Sequence, residues 1–267
     1  LFSISLYSKD FAKALIVSDS EISGVESFKT EKELLERFKQ IVYNYDPDII
    51  TGWNVIDFDL KIIKERFDEN KLEFKFGRID WPCIIRLNDS FFKESTVDIP
   101  GRLVLDAMHL LKSSFIYLRD YKLQTAAEEI LQESKLEVFD SLDKGAEIER
   151  LYKENPKLLA SYNLKDSELV LKILEKKSII NLTVQRSLLT GMQMDRVKAS
   201  IASLDNLYIR ETMKKGYVCQ TSVFKESEER IIGGFVRNSI PGIYDFINVY
   251  DFKSLYPSII RTFNIDP

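Results

Sequence analysis

Apolar positions along this chain switch between a period of two and a period of three to four, and the switches mark its elements. Leu1 to Tyr7 and Lys13 to Val17 are β-branched and apolar runs parted by a polar turn, the pattern of a hairpin. Leu34, Leu35, Phe38, Ile41 and Val42 recur at helical spacing and predict a helix from about Glu31 to Asn44. Asp48 to Trp53 reads as a buried strand and Phe58 to Asn70 as a second helix. Strand then helix recurs at Arg102 to Leu105 and Asp106 to Lys112, with Asp106 as the cap of the helix it opens. An amphipathic helix follows from about Leu123 to Ser134, and the charged, aperiodic stretch from Gln132 to Ala146 reads as a surface loop. Pro156 suits a first helical turn and starts a helix to about Lys177. A long helical stretch, roughly Ile179 to Lys215, leads to a glycine-bearing segment and a strand from about Phe246 to Phe252. This alternation predicts an α/β class with helices on a mixed sheet. The domain boundary falls inside the long helix, giving domains 1–190 and 191–267.

Composition narrows the picture by exclusion. At 267 residues, 45% hydrophobic and 30% charged, the chain has apolar surface for one large domain or two small ones and is not of disordered type. Its longest apolar runs, around Ile49 and Ile259, fall far short of the ~20 residues a spanning helix needs, and no secretory signal opens it. Cys83 and Cys219 lie far apart with His109 as the single histidine, so the residues for a structural zinc site are lacking and a thiol-reducing, cytoplasmic setting is expected. The net charge of −4 does not advertise a nucleic-acid binder. A site that works through divalent cations nevertheless needs carboxylates, and the cations carry the positive charge that a residue count omits.

Two carboxylates stand out. Leu159, Tyr162, Asp166, Leu169 and Ile173 follow one another at spacings of three, four, three and four, which sets Asp166 on the core-facing stripe of its helix with Tyr162 one turn before it. An unpaired buried carboxylate is costly, so Asp166 implies either a cation or compensation by backbone groups or an arginine. Asp59 sits at a strand-to-helix junction after Asn54, where a metal site can assemble at a sheet edge; Asp57 and Asp59 equally suit a plain helix N-terminus.

The string GWNVIDFD, with Asn54, Phe58 and Asp59, resembles the second exonuclease motif of family B DNA polymerases, and YNLKD, with Tyr162 and Asp166, resembles the third. GRLVLDAMHLLKS, YKLQTAAEEILQESK and LLTGMQMDR are similar to stretches between and after those motifs in bacterial members, in matching order and spacing. The resemblance implies a ribonuclease H-like exonuclease domain followed by a long helix and the first part of a polymerase palm. It also implies two-metal hydrolysis of a terminal phosphodiester, with Mg2+ or Mn2+ held by Asp59 and Asp166, Tyr162 orienting water, and Asn54 supporting Asp59 or the DNA strand. The family's first motif, an Asp-x-Glu on the opening strand, belongs just before Leu1; neither Asp19 with Glu21 nor Asp166 with Glu168 replaces it. Leu1 opens inside an apparent strand and Pro267 follows an apolar segment, so a segment of a longer protein is expected, incomplete for catalysis by itself.

DFKSLYPSII resembles the family's polymerase motif A. By that likeness Asp251 holds a metal, Ser254, Leu255 and Tyr256 contact a nucleoside triphosphate, and Tyr256 gates against a ribose 2' hydroxyl. RIIGGFV resembles the glycine element between exonuclease and palm, with Gly233 and Gly234 aligned and Ile231 where tyrosine is usual. The implied partners are DNA, as primer-template and single-stranded 3' end, and deoxynucleoside triphosphates, with a sliding clamp for the full-length protein, no membrane, and a bacterial nucleoid-associated location. A stand-alone ribonuclease H-like nuclease, or a nucleic-acid-binding module that has lost its chemistry, are the competing readings. Motif A counts against the former, and intact Asp59, Tyr162 and Asp166 against the latter.

Overall fold

The computed structural model describes residues 1–88, 95–133, 144–221 and 233–265. Its first strands form where the sequence alternates. β1 (Ser3–Tyr7) and β2 (Ala12–Val17) pair antiparallel from Ser3 opposite Ile16 to Tyr7 opposite Ala12, and β3 (Glu26–Phe28) joins β2 in parallel. Thr30 then opens α1 (Glu31–Tyr45) with a reciprocal capping box, its side chain accepting from the Glu33 amide at 3.2 Å while Glu33 accepts from the Thr30 amide. The helix stops at Asp46, whose φ of 52° is left-handed. Leu34, Leu35, Phe38, Ile41 and Val42, the residues of the sequence periodicity, are all buried.

β4 (Ile49–Gly52) runs parallel to β7 (Leu103–Asp106), from Ile49 opposite Leu103 to Gly52 opposite Asp106. Its residues are half-buried rather than buried as expected, because β7 is its one partner and its other edge is unpaired among the described residues. The buried guanidinium of Arg102 fixes the register from below, donating to the carbonyls of Phe76 (3.2 Å) and Pro47 (2.7 Å) and to the Asp46 carboxylate (2.8 Å). Between these strands the chain makes a π-helical turn, Ile56–Leu60, then α2 (Lys61–Glu69) and the antiparallel pair β5 (Ile84–Arg86) and β6 (Thr96–Asp98). After β7 come α3 (Ala107–Ser113) and α4 (Leu123–Ala126), which runs into a second π-helical turn, Ala127–Leu131. The α/β layering holds, with the mixed sheet realised as the three strands β1 to β3 and separate two-stranded pairs.

α5 (Lys144–Glu154) begins inside the stretch expected to be loop, so that expectation is corrected from Lys144 onward; residues 134–143 lie outside the described residues. Asn155 caps α6 (Pro156–Lys176), accepting from the Leu158 amide at 3.0 Å, with Pro156 at its first position. α6 lies against β1: the Ser5 hydroxyl donates to the Asn163 carbonyl at 2.8 Å, and the Asn163 amide donates to the Ser3 hydroxyl at 3.2 Å. One apolar cluster joins β1, β2, α1, the first π-helical turn and α2, and a second joins β7, α3, α4, α6 and α7 (Ile179–Thr190).

The expected long helix is two helices. α7 ends at Gly191, whose φ of 74° is left-handed and whose amide donates to the Ser187 carbonyl at 2.7 Å, and α8 (Ser200–Lys214) starts afresh. The chain divides into two compact units, Leu1–Cys219 and Gln220–Pro267. In the second unit α9 (Leu255–Phe263) forms with Pro257 in its first turn, but the expected strand from Phe246 to Phe252 does not. A helix closes its hydrogen bonds locally, whereas a strand needs a neighbour, and no described segment pairs with 246–252. Among the described residues no helix is long and apolar enough to cross a membrane.

Candidate active site

The parallel pair β4 and β7 sets the site, because both strands end in chemistry-bearing loops at the same edge. β4 stops at Gly52, where an added Cβ would sit 2.9 Å from the Val55 Cβ; the chain can fold back here only without a side chain. Trp53 follows, its indole N–H donating to the Tyr121 carbonyl at 2.9 Å, and Asn54 takes the left-handed conformation with φ 60°. Val55, Ile56 and Leu60 are then driven into the first apolar cluster. Since the turn between them is π-helical, with the Leu60 amide donating to Val55 at 2.8 Å, Asp57, Phe58 and Asp59 are carried together toward the outer side. Phe58 is 59% exposed.

Asp59 is exposed. The Asp59 carboxyl is pushed up to about 6, first by the protein mass around it and then by the charges of Asp106 and Asp166, with a backbone hydrogen bond opposing. The residue keeps an exposed face, so its desolvation is partial and the charges of the neighbouring carboxylates count for more. On α6, Leu159, Leu169 and Ile173 are buried and Tyr162 and Asp166 are half-buried at the margin of that stripe. The Tyr162 hydroxyl is pushed up to about 12 by its surroundings, by the Asp166 charge and by its hydrogen bond to the Asp166 carboxylate, so the phenol stays protonated and donates. Asp59, far in sequence from the Tyr162–Asp166 pair, thus lies near enough to Asp166 to feel its charge.

Asp106 belongs to the same place. It caps α3 as the sequence suggests, one oxygen accepting from the His109 amide at 3.1 Å, but it is also 94% buried by the complement of its 6% exposure and acts on Asp59. The sequence carried the signal: like Asp59, Asp106 is a carboxylate at a strand-to-helix junction. The donors that gather here are hard oxygens, which suit Mg2+ or Mn2+. Among the described residues no three or more His, Cys, Asp and Glu side chains form a ready-made cation cage. Mg2+ is characteristically held by one or two carboxylates together with substrate phosphate, and neighbouring Asp59 and Asp166, the former exposed, fit that mode.

In the second unit Asp251 lies in irregular chain before α9, Ser254 takes the left-handed conformation with φ 55° as its N-cap, and Leu255 and Tyr256 form its first turn. Tyr256 is 78% exposed. An added Cβ at Gly233 or Gly234 meets nothing within 4 Å, and Ile231 lies outside the described residues.

The profile described as "DNA polymerase family B, exonuclease domain" matches residues 3–126, and "DNA polymerase family B" matches residues 185–267. DNA polymerase II of Escherichia coli (strain K12) is 37% identical over 91% of this chain and 31% of its own length. A DNA polymerase of Desulfurococcus sp. (strain Tok) is 28% identical over 99% of this chain and 34% of its own, and the DNA polymerase delta catalytic subunit of Plasmodium falciparum is 31% identical over 91% of this chain and 23% of its own. The chain thus spans about a third or less of the length of these relatives.

Proposed function

This chain belongs to the family B DNA polymerases, with the family's ribonuclease H-like exonuclease domain followed by the start of its polymerase domain, and from that premise we propose that its paired carboxylates serve removal of nucleotides from a single-stranded DNA 3' end. Asp59 and Asp166 are the ligands of a divalent cation, Mg2+ or Mn2+. The observation that carries this reading is the meeting of Asp59 with Asp166, the latter already hydrogen-bonded by Tyr162. When bound, such cations supply neutralisation of the phosphate and a water acidic enough to become the nucleophile. The chain's own part is positional. Tyr162, protonated across the working pH range, orients an oxygen beside Asp166. Asn54, held in a left-handed turn, supports Asp59 or the strand, and exposed Phe58 offers a face on which a base can stack.

The division between proofreading and polymerising parts is placed at 190/191, where the first helix of the α7–α8 pair ends at Gly191. Beyond it, Asp251 holds the nucleotide-bearing metal, Ser254, Leu255 and Tyr256 contact a deoxynucleoside triphosphate, Tyr256 excludes the ribose 2' hydroxyl, and Gly233 and Gly234 let backbone approach primer-template DNA. A sliding clamp is a partner of the full-length protein, and a bacterial cytoplasm its location. The test is release of a 3' label from a single strand in Mg2+ by the full-length enzyme and by its Asp166→Ala variant. Release is expected to vanish in the variant, and release that ignores the substitution rejects the assignment. For the second unit, Tyr256→Ala in the full-length enzyme relaxes discrimination against ribonucleotides, and unchanged incorporation ratios reject the gate.

A further inference from the structure

Asp106 has a role that helix capping does not exhaust. It is the last residue of β7, opposite Gly52, so it stands beside the point where β4 turns toward Asp59. It is 6% exposed. One carboxylate oxygen is spent on the His109 amide at 3.1 Å, and the other is buried without a hydrogen-bond partner among the described residues. Leaving such an oxygen without a donor is costly. A cap alone could be served by asparagine or serine, neither of which sets a carboxylate beside Asp59. A cation near Asp59 would give the second Asp106 oxygen something to act on.

We infer that Asp106 is a positioning residue for the cation site, its second carboxylate oxygen accepting a hydrogen bond from a water in the hydration shell of the ion that Asp59 and Asp166 bind. This rests on the reading of Asp59 and Asp166 as ligands. With one oxygen committed to the His109 amide at 3.1 Å, Asp106 acts through water rather than as a direct ligand. Outer carboxylates of this kind commonly tune metal affinity by about 10 to 100-fold.

The test is titration of the protein with Mn2+, following the spin-resonance signal of the free ion. Asp106→Asn keeps an oxygen for the His109 amide and removes the charge, and Asp106→Ser does the same with a smaller side chain should the first variant melt early. Either is expected to weaken Mn2+ binding by about tenfold while the circular-dichroism melting temperature stays near that of the unaltered protein. Affinity within about twofold in the variants, alongside its loss in Asp59→Asn, overturns the role of Asp106 alone. Binding that persists through both Asp59→Asn and Asp166→Asn overturns the ligand reading, and this inference with it.

Discussion

The two units carry motifs of similar length and clarity, yet only the first converts them into geometry. In Leu1–Cys219 the strand ahead of Asn54 finds β7, the apolar faces of α1 and α6 are buried, and carboxylates from β7, the π-helical turn and α6 meet. In Gln220–Pro267 the segment ahead of Asp251 has no strand partner among the described residues, and α9 buries none of its side chains. The contrast teaches that a sequence motif specifies a site only where non-local pairing and packing hold its backbone. A nine-residue helix can form on its own hydrogen bonds, whereas a metal-holding strand end cannot.

The contrast can be sharpened by substitution, beginning with the core. Phe67 of α2 is fully buried in the first cluster, and Phe67→Ala is expected to lower the unfolding free energy by about 3–5 kcal/mol, read by urea titration; a loss below 1 kcal/mol would show that this unit is not packed as described. Gly52→Ala comes next. A Cβ there meets Val55 at 2.9 Å, so the turn must shift, at a cost of about 1–3 kcal/mol and with loss of hydrolysis through the displaced Asp59. Full activity in that variant would mean the turn does not set the site.

A smaller effect follows from the charges themselves. With chelator present, Asp59 has a raised carboxyl of about 6 against an ordinary 3.8, so the folded state binds the proton more tightly than the unfolded one. Its relative contribution is most favourable below the unfolded value and is lost as pH rises through about 6. Asp59→Asn removes that loss, and melting at pH 7.5 is expected to rise by on the order of 2 °C, with no gain below the ordinary carboxyl value. A lower melting temperature at pH 7.5 would contradict the crowding of charges. The smallest effect belongs to the second unit, where Ile260 is 43% exposed and Ile260→Ala is expected to change stability by no more than about 0.5 kcal/mol. A larger loss would reveal packing of α9 that its exposure does not suggest.

Much of the first unit was legible in the sequence because its signals are local or periodic. The β1–β2 hairpin, the apolar stripe of α1 and the start of α6 at Pro156 follow from spacing and capping chemistry. What was not legible depends on partners or on single backbone angles. β4 is half-buried since it has one neighbour, Gly191 breaks a helix whose flanking residues all suit one, and the strand expected at 246–252 lacks a ladder to join. Within the site, spacing placed Tyr162 beside Asp166 one helical turn apart, but the meeting of both with Asp59 depends on α6 crossing β1 and β4. Asp106 was read as a cap only, although it occupies the same kind of junction as Asp59; no local pattern reports that two junctions lie side by side, and parallel pairing of β4 with β7 supplies it.

The proposed sharing of one cation is tested most directly by a double-mutant cycle on Asp59 and Asp166 in the full-length enzyme, measured as single-turnover release of a 3'-terminal nucleotide from single-stranded DNA in saturating Mg2+. Residues that act as one unit are strongly non-additive, so each of Asp59→Asn and Asp166→Asn is expected to cost about a thousandfold or more and the double variant no more than the worse single. Losses that multiply in the double variant would mean that the two carboxylates work independently, contrary to a common ion.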